Sequence, residues 1–277
     1  MKSKNLNLAA LLVMFAATLT FTSCQKEKND TNFLTADNSA LADESYNDAH
    51  NVADEAAQNG SVSYKTEDAN SLLTCATVTR DTISMPHLTT IDFGTGCTGI
   101  DGKTRKGKIL VSYDGEYRAP GTTITVTFDN FFVNDNQVLG TKTIHNNGVN
   151  TAGNLTFAIN VTGQIILGSG EGTIDWTSQR VREWIAGEPT PSRDDDQYSV
   201  TGTASGTACN GNTFEATITS PLIRNLAPQC RRHFVAGTVL VETPGKPNRL
   251  IDFGNGNCDD QAVVTINGHS HTITLRR

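Results

Sequence analysis

The chain has 277 residues, enough for one large β domain or two small ones. Its formal net charge of −7 argues against nucleic acid as a partner and against binding an anionic lipid surface by charge. Thr and Gly are frequent and long apolar helical runs are scarce, so strands and turns are the expectation.

The chain opens on a charged segment with Lys2 and Lys4, followed by an apolar run from Leu6 to Phe21. That run has the length of a secretion signal and is short for a membrane span. It ends Thr20-Phe21-Thr22-Ser23-Cys24. Small residues just before a cysteine resemble the lipobox of bacterial lipoproteins. The resemblance implies cleavage before Cys24, a diacylglycerol on its thiol and, usually, an acylated new amine. Two or more acyl chains hold a protein on a membrane durably, where one does not. Gln25 to Asp30 partly resembles the short export tag of surface lipoproteins of Bacteroidota, although Lys28 interrupts its acidic run.

Residues 24–70 read as a lipid-anchored polar tether, partly helical. Asp37-Asn38-Ser39 can cap a helix from Ala40 to Gln58, ended by Asn59-Gly60. Its apolar positions, Leu41, Tyr46, Ala49, Val52, Ala53 and Ala56, form only a thin stripe. Either a weakly docked helix or a solvated tether fits, and the tether is favoured.

Residues 71–277 read as a single all-β domain with internally repeated hairpins. The expected fold is a large antiparallel meander or open sandwich of roughly a dozen strands. The basic run Lys103 to Lys108 reads as a solvated turn leading into a strand. Thr122 to Phe128 alternates Ile124, Val126 and Phe128 against Thr123, Thr125 and Thr127, the pattern of a half-buried antiparallel strand. Residues 172–185 fit two periods. Trp176, Arg180 and Trp184 would share a helix face, and Trp176, Ser178, Arg180, Arg182 and Trp184 a strand face. The β surroundings favour the strand. Gly187 to Asp196 is a surface loop, and Asn267-Gly268 is a two-residue hairpin turn.

One motif occurs twice. Ile91-Asp92-Phe93-Gly94 … Cys97 returns as Ile251-Asp252-Phe253-Gly254 … Cys258, and each copy has a cysteine upstream, Cys75 or Cys230. The repetition predicts the pairs Cys75–Cys97 and Cys230–Cys258, each closing a hairpin and stabilising it by roughly 3 kcal/mol. Cys209 is left over, buried in a strand or, alternatively, paired with Cys230. Asp92 and Asp252 are expected to accept backbone N–H bonds in their own Gly-rich turns.

Read together, the Cys75 strand, Ile91 to Cys97, Asp101-Gly102, Arg105 to Ile109, Tyr117-Arg118, Phe128-Asp129-Asn130, Arg182-Glu183-Trp184, Ser220-Pro221-Leu222 and the C-terminal repeat resemble a group of uncharacterised cell-envelope lipoproteins from Bacteroidota. The resemblance implies origin and envelope location and carries no activity.

Candidate sites are few. His269 and His271 would share a strand face and could chelate a metal, but no third ligand is placed, and a solvated turn is the plainer reading. Asp252, Asn255, Asn257 and Asp259 offer calcium-type oxygens without the ordered spacing of a calcium loop. Trp176, Trp184, Phe131 and Phe132 could stack on a sugar, though aromatics in strands are usually core. His145, Asp175 and Glu183 assemble into a site only on paper. No nucleophile elbow, phosphate loop or zinc helix is present. No catalytic residue, metal or cofactor is therefore assigned. The leading expectation is an outer-membrane-anchored lipoprotein, periplasm-facing or surface-exposed. It would be a non-enzymatic binding or structural module, with the membrane as partner through its lipid and a further ligand or protein unknown. Alternatives are an envelope carrier of a lipid or glycan, and a hydrolase acting on an envelope polysaccharide or peptide.

Overall fold

A computed structural model describes residues 32–58, 63–64, 71–190 and 192–275. Cys24 and the signal segment lie outside the described residues. So does the Asn59-Gly60 stop.

Helix α1 (Leu34–Gln58) precedes a fifteen-stranded antiparallel sheet. Its strands are β1 (Ser63–Tyr64), β2 (Thr77–Asp81), β3 (His87–Asp92), β4 (Cys97–Thr98), β5 (Thr104–Tyr113), β6 (Thr123–Val133), β7 (Asn136–Val149) and β8 (Leu155–Ile166). Then come β9 (Thr173–Ala186), β10 (Gln197–Thr207), β11 (Thr213–Asn225), β12 (Phe234–Glu242), β13 (Arg249–Asn255), β14 (Gln261–Ile266) and β15 (His269–Thr274). They pair in chain order from β1 to β15, except that β4 sits beside β5 and β3 pairs with β5 directly. The all-β antiparallel meander read from the sequence is what the chain forms.

The sheet is open and curls around α1, which touches β3, β5 to β9, β11 and β12. The helix occupies the place a second sheet would fill in a sandwich. This overturns the reading of residues 34–58 as a solvated tether. Ala36, Ala42, Tyr46, Ala49, Val52, Ala53 and Ala56 are fully buried, and so are the polar Asn38 and Asp48. A thin apolar stripe predicts exposure only for a helix covered on one side. Here strands cover the helix on several sides, and its carboxylates meet cations. The helix also begins earlier than expected. Asn32 Oδ1 accepts the Leu34 N–H at 3.2 Å as the cap, and Asn38 lies inside the helix.

Tyr46 fixes how the helix sits. Its hydroxyl donates to the Leu139 carbonyl at 2.7 Å. Gly140 on β7 and Gly163 on β8 face each other in register and make the notch for the ring. A Cβ on Gly163 would collide with the phenol oxygen.

Period two holds through residues 172–185. Trp176, Ser178, Arg180, Arg182 and Trp184 all face inward from β9. The outer face is mostly polar, with Ile166, Val181 and Ile185 exposed among the polar residues. One register row runs Thr127, Thr141, Thr162, Thr177, Ser205, Glu215 and Glu242 from β6 to β12.

Both staples form. Cys75–Cys97 and Cys230–Cys258 have Cα separations of 6.0 and 4.4 Å. The two copies match in topology. Ile91 stands between Val78 and Ile109, and Ile251 between Val239 and Val264. Asp92 accepts the Gly94 N–H at 2.7 Å and Asp252 the Gly254 N–H at 2.8 Å, the turns expected of them. Cys209 is a free thiol, half-buried in the β10–β11 turn rather than in a strand. Two structural disulfides are those of a protein that folds outside the cytoplasm. No helix among the described residues is long and apolar enough to cross a membrane.

Candidate functional site: a cationic concave face around an acidic helix

Helix α1 carries Asp37, Asp43, Glu44, Asp48, Asp54 and Glu55 and no Lys or Arg. The concave face of the sheet supplies the opposite charge. Two groups of contacts divide the helix.

Around its middle the pairing is tight. Lys103 Nζ lies 2.7 Å from Glu44 Oε1 and 3.1 Å from Asp48 Oδ1. Arg105 Nε donates to Asp48 Oδ2 at 2.8 Å, and its other nitrogens reach Asp101. Arg224 Nη1 donates to Glu44 Oε2 at 2.7 Å. The basic run is thus no solvated turn. Alternation turns Lys103 and Arg105 inward, where both are buried, and Lys106 and Lys108 outward. Lys106 stacks over Phe132, and Lys108 stands 3.6 Å from Asp92. Burial pushes the Asp48 carboxyl up, but Arg105 and Lys103 overcome it and hold the group well below the usual carboxylate range. Glu44 is lowered in the same way by Arg224 and Lys103 against its own burial.

Around Asp54 the contacts are looser, although the next residue, Glu55, holds Arg193 at 2.9 Å and the Leu72 N–H at 3.0 Å. His50 Nε2 is 3.6 Å from Asp54 Oδ2, and Arg182 Nη1 is 3.8 Å from the same oxygen. Tyr117 donates its hydroxyl to Asp54 Oδ1 at 3.0 Å. The Arg182 guanidinium lies over the Tyr198 ring at 3.4 Å, and Arg118 lies over Trp184 at 4.9 Å. Burial drives His50 well below its usual range, with Asp54 opposing, so the imidazole is neutral at pH 7. Burial raises Asp196 to about 6, with its Tyr198 hydrogen bond opposing. Between the clusters, Lys142 donates to the Tyr46 carbonyl at 3.1 Å, and burial lowers its amine to about 7.

Polar residues and perturbed protonation in one place have the look of an active centre. Space rules against it in this arrangement. The cavity bounded by His50, Asp54, Tyr117, Arg118, Arg182 and Tyr198 holds about 10 Å³, the size of one water. A second cavity, between α1 and β12, β13 and the chain end, holds about 20 Å³.

Clefts of ligand size lie on the outer face. One of about 710 Å³ is bordered by Asp175, Thr177, Ser205, Glu215, Glu242 and Asn248. One of about 350 Å³ adjoins it along Thr177, Ser205 and Glu215. Asp175 is bonded by Gln164 and Glu242 by Asn248.

The chain matches no protein-family model, no curated protein and no solved structure.

The other candidates separate in space. His145 bonds Thr123 on the outer face, and Glu183 is held by Asn150 and Asn154. Asp175 lies eight residues along β9 from Glu183, so the three do not converge. His269 and His271 sit on β15, with His271 against the Phe33 ring. No group of three His, Cys, Asp or Glu among the described residues is placed to hold a metal. Asp252 and Asp259 spend oxygens on backbone N–H groups of their turns. Trp176, Trp184 and Phe131 are core; Phe132 is half-buried under Lys106. The sequence reading missed the concave cations. Its available signal was the inward phase of Arg180 and Arg182, two strand neighbours of Trp176 and Trp184, opposite an acidic helix without Lys or Arg.

Proposed function

We propose that this chain is an outer-membrane-anchored lipoprotein that serves as a non-enzymatic binding module. The N-terminal signal with Cys24, the likeness to envelope lipoproteins of Bacteroidota and the two disulfides support the location. The carrying observation for the role is the charge of the concave face. Lys103, Arg105, Lys142, Arg180, Arg182 and Arg224 are all buried there, and the face recognises its occupant by ion pairs. An acyl carrier needs an apolar cavity, and such a lining disfavours it. A hydrolase needs room for substrate beside its acid and base, and the perturbed groups have space only for a water.

The anchor is tested directly. Labelled palmitate is expected to enter the wild-type chain, and Cys24→Ala should move the protein to the soluble fraction. A wild-type chain that takes no label sinks the anchor.

A further inference from the structure

We infer that the concave face is a groove for a phosphate-bearing polymer and that α1 is its built-in, displaceable occupant. The inference rests on the binding-module reading and not on the anchor. A chain that takes palmitate but ignores phosphate polymers loses only this proposal.

The first reason is how the helix is held. Its fully buried apolar residues are mostly alanines, with Tyr46 and Val52 the larger ones. A few neutral hydrogen bonds, from Tyr46 and to Asn38 among them, add to this, and the largest part of the remaining grip is ionic. Buried ion pairs stabilise poorly compared with apolar packing of the same volume, and their best-attested use is in registry and switching. A helix meant only to fill the sheet would be held at least as well by leucines. One held by carboxylates can be exchanged for another anion.

The second reason is a mismatch between donors and acceptors. The sheet side brings Asp101 and Asp196 against its many cations, so without α1 the concave face is strongly positive. With α1 in place, Arg118 Nη2, Arg180 Nε and Nη1, Arg182 Nη2 and Arg224 Nε are buried with no hydrogen-bond partner among the described residues. Buried guanidinium donors left over in a native fold call for an explanation. A carboxylate presents two oxygens. Each unit of a phosphate chain presents two charged oxygens as well, set tetrahedrally with bridging oxygens beside them, and the units repeat without a gap along the line, in a geometry the arginine fork matches. The face is therefore better supplied for phosphate than for the helix that covers it.

The third reason is shape. Asp43 to Glu55 spans about 18 Å at the helical rise. The cations follow that line from Arg180 against Asp43 to Arg193 against Glu55. A linear chain of phosphates fits such a track; a single small anion does not.

A native thiol supplies the test. Asn38, fully buried in α1, accepts the Cys209 N–H at 2.9 Å, and Cys209 is free. Asn38→Cys, oxidised, should tie α1 to the β10–β11 turn. Asn38→Cys with Cys209→Ser carries the same helix change and cannot form the tie. Linear inorganic polyphosphate is titrated against the full chain in neutral detergent at low salt. We expect binding to the wild type and the double variant, and binding about tenfold weaker to the tied form, or roughly 1.4 kcal/mol. Hydrogen exchange on the wild type, which needs no variant to fold, should show α1 amides losing protection when polyphosphate is added. Equal affinity in all three forms, no binding to the wild type, or unchanged α1 protection would overturn the proposal. So would α1 release by micelles doped with phosphatidylglycerol but not by polyphosphate, since the occupant would then be a lipid headgroup.

Discussion

The two halves of α1 meet the same kind of surface and settle into it differently. In the middle, Glu44 and Asp48 share Lys103, Arg105 and Arg224, with contacts of 2.5 to 3.3 Å. Near the C-terminus, Asp54 has His50 at 3.6 Å and Arg182 at 3.8 Å, and its shortest partner is the Tyr117 hydroxyl at 3.0 Å. The first cluster is an interlocked set of forks and carboxylates. The second surrounds a cavity of about 10 Å³, and buried guanidinium nitrogens without a partner occur in both, Arg224 Nε in the first and Arg118 Nη2 and Arg182 Nη2 in the second. Close geometry and complete hydrogen bonding are what allow attraction to outweigh desolvation in a buried pair. Glu44 and Asp48 are therefore the clasp, and Asp54 is the loosest hold, although Glu55 beside it keeps Arg193 at 2.9 Å.

The largest expected effect breaks the clasp. Arg105→Met leaves Asp101 buried without its guanidinium and Asp48 with Lys103 alone, and should cost about 3–5 kcal/mol in urea denaturation. Asp54→Asn keeps the shape of the looser cluster and should cost only about 1–2 kcal/mol. Equal losses at the two places would erase the distinction between the tight and the loose cluster.

Next in size is the response to pH, which falls into three windows. Lys142 is lowered to about 7 from its usual 10.5, so the unfolded chain binds the extra proton between those values and stability falls as pH drops from 10.5 to 7. His50 is also lowered, so further stability is lost as pH falls through 6.5. Glu44, Asp48 and Asp54 are lowered carboxylates, and their contribution goes as pH falls below 4.5 and 3.8, the usual values for Glu and Asp. All three act in the same direction. Lys142→Met should flatten the alkaline part alone and raise stability at pH 7. Denaturation midpoints that are flat between pH 7 and 10 in the wild type would contradict the buried amine.

The smallest effect lies away from the helix, in the repeated turns. Asp92→Ala and Asp252→Ala should each cost about 1 kcal/mol, and Asn at either place less, because an amide oxygen can still accept the glycine N–H. Thermal melts of the four variants check this. Losses that differ widely between the copies would show that the two turns are not equivalent in energy.

Much of the framework was legible beforehand. The two Ile-Asp-Phe-Gly copies gave both cysteine pairs and both aspartate turns, because a repeated local pattern constrains a repeated local geometry. Alternation put Trp176, Arg180 and Trp184 on one face of β9. It did not say that arginines could face inward, since burying a guanidinium is favourable only where an anion waits. The same gap hid Lys103 and Arg105 inside what reads as a polar turn, and it made α1 look like a solvated tether.

Local sequence alone determined the strands, turns and staples, because periodicity and turn chemistry act between residues close along the chain or across one hairpin. The place of α1 was decided by the tertiary structure. Asp48 and Arg105 are 57 residues apart and Glu44 and Arg224 are 180 apart, and neither pair can be assigned until the sheet has curled. Each charged residue read singly is most stable in water. Only the assembled concave face makes burial of the acidic helix favourable.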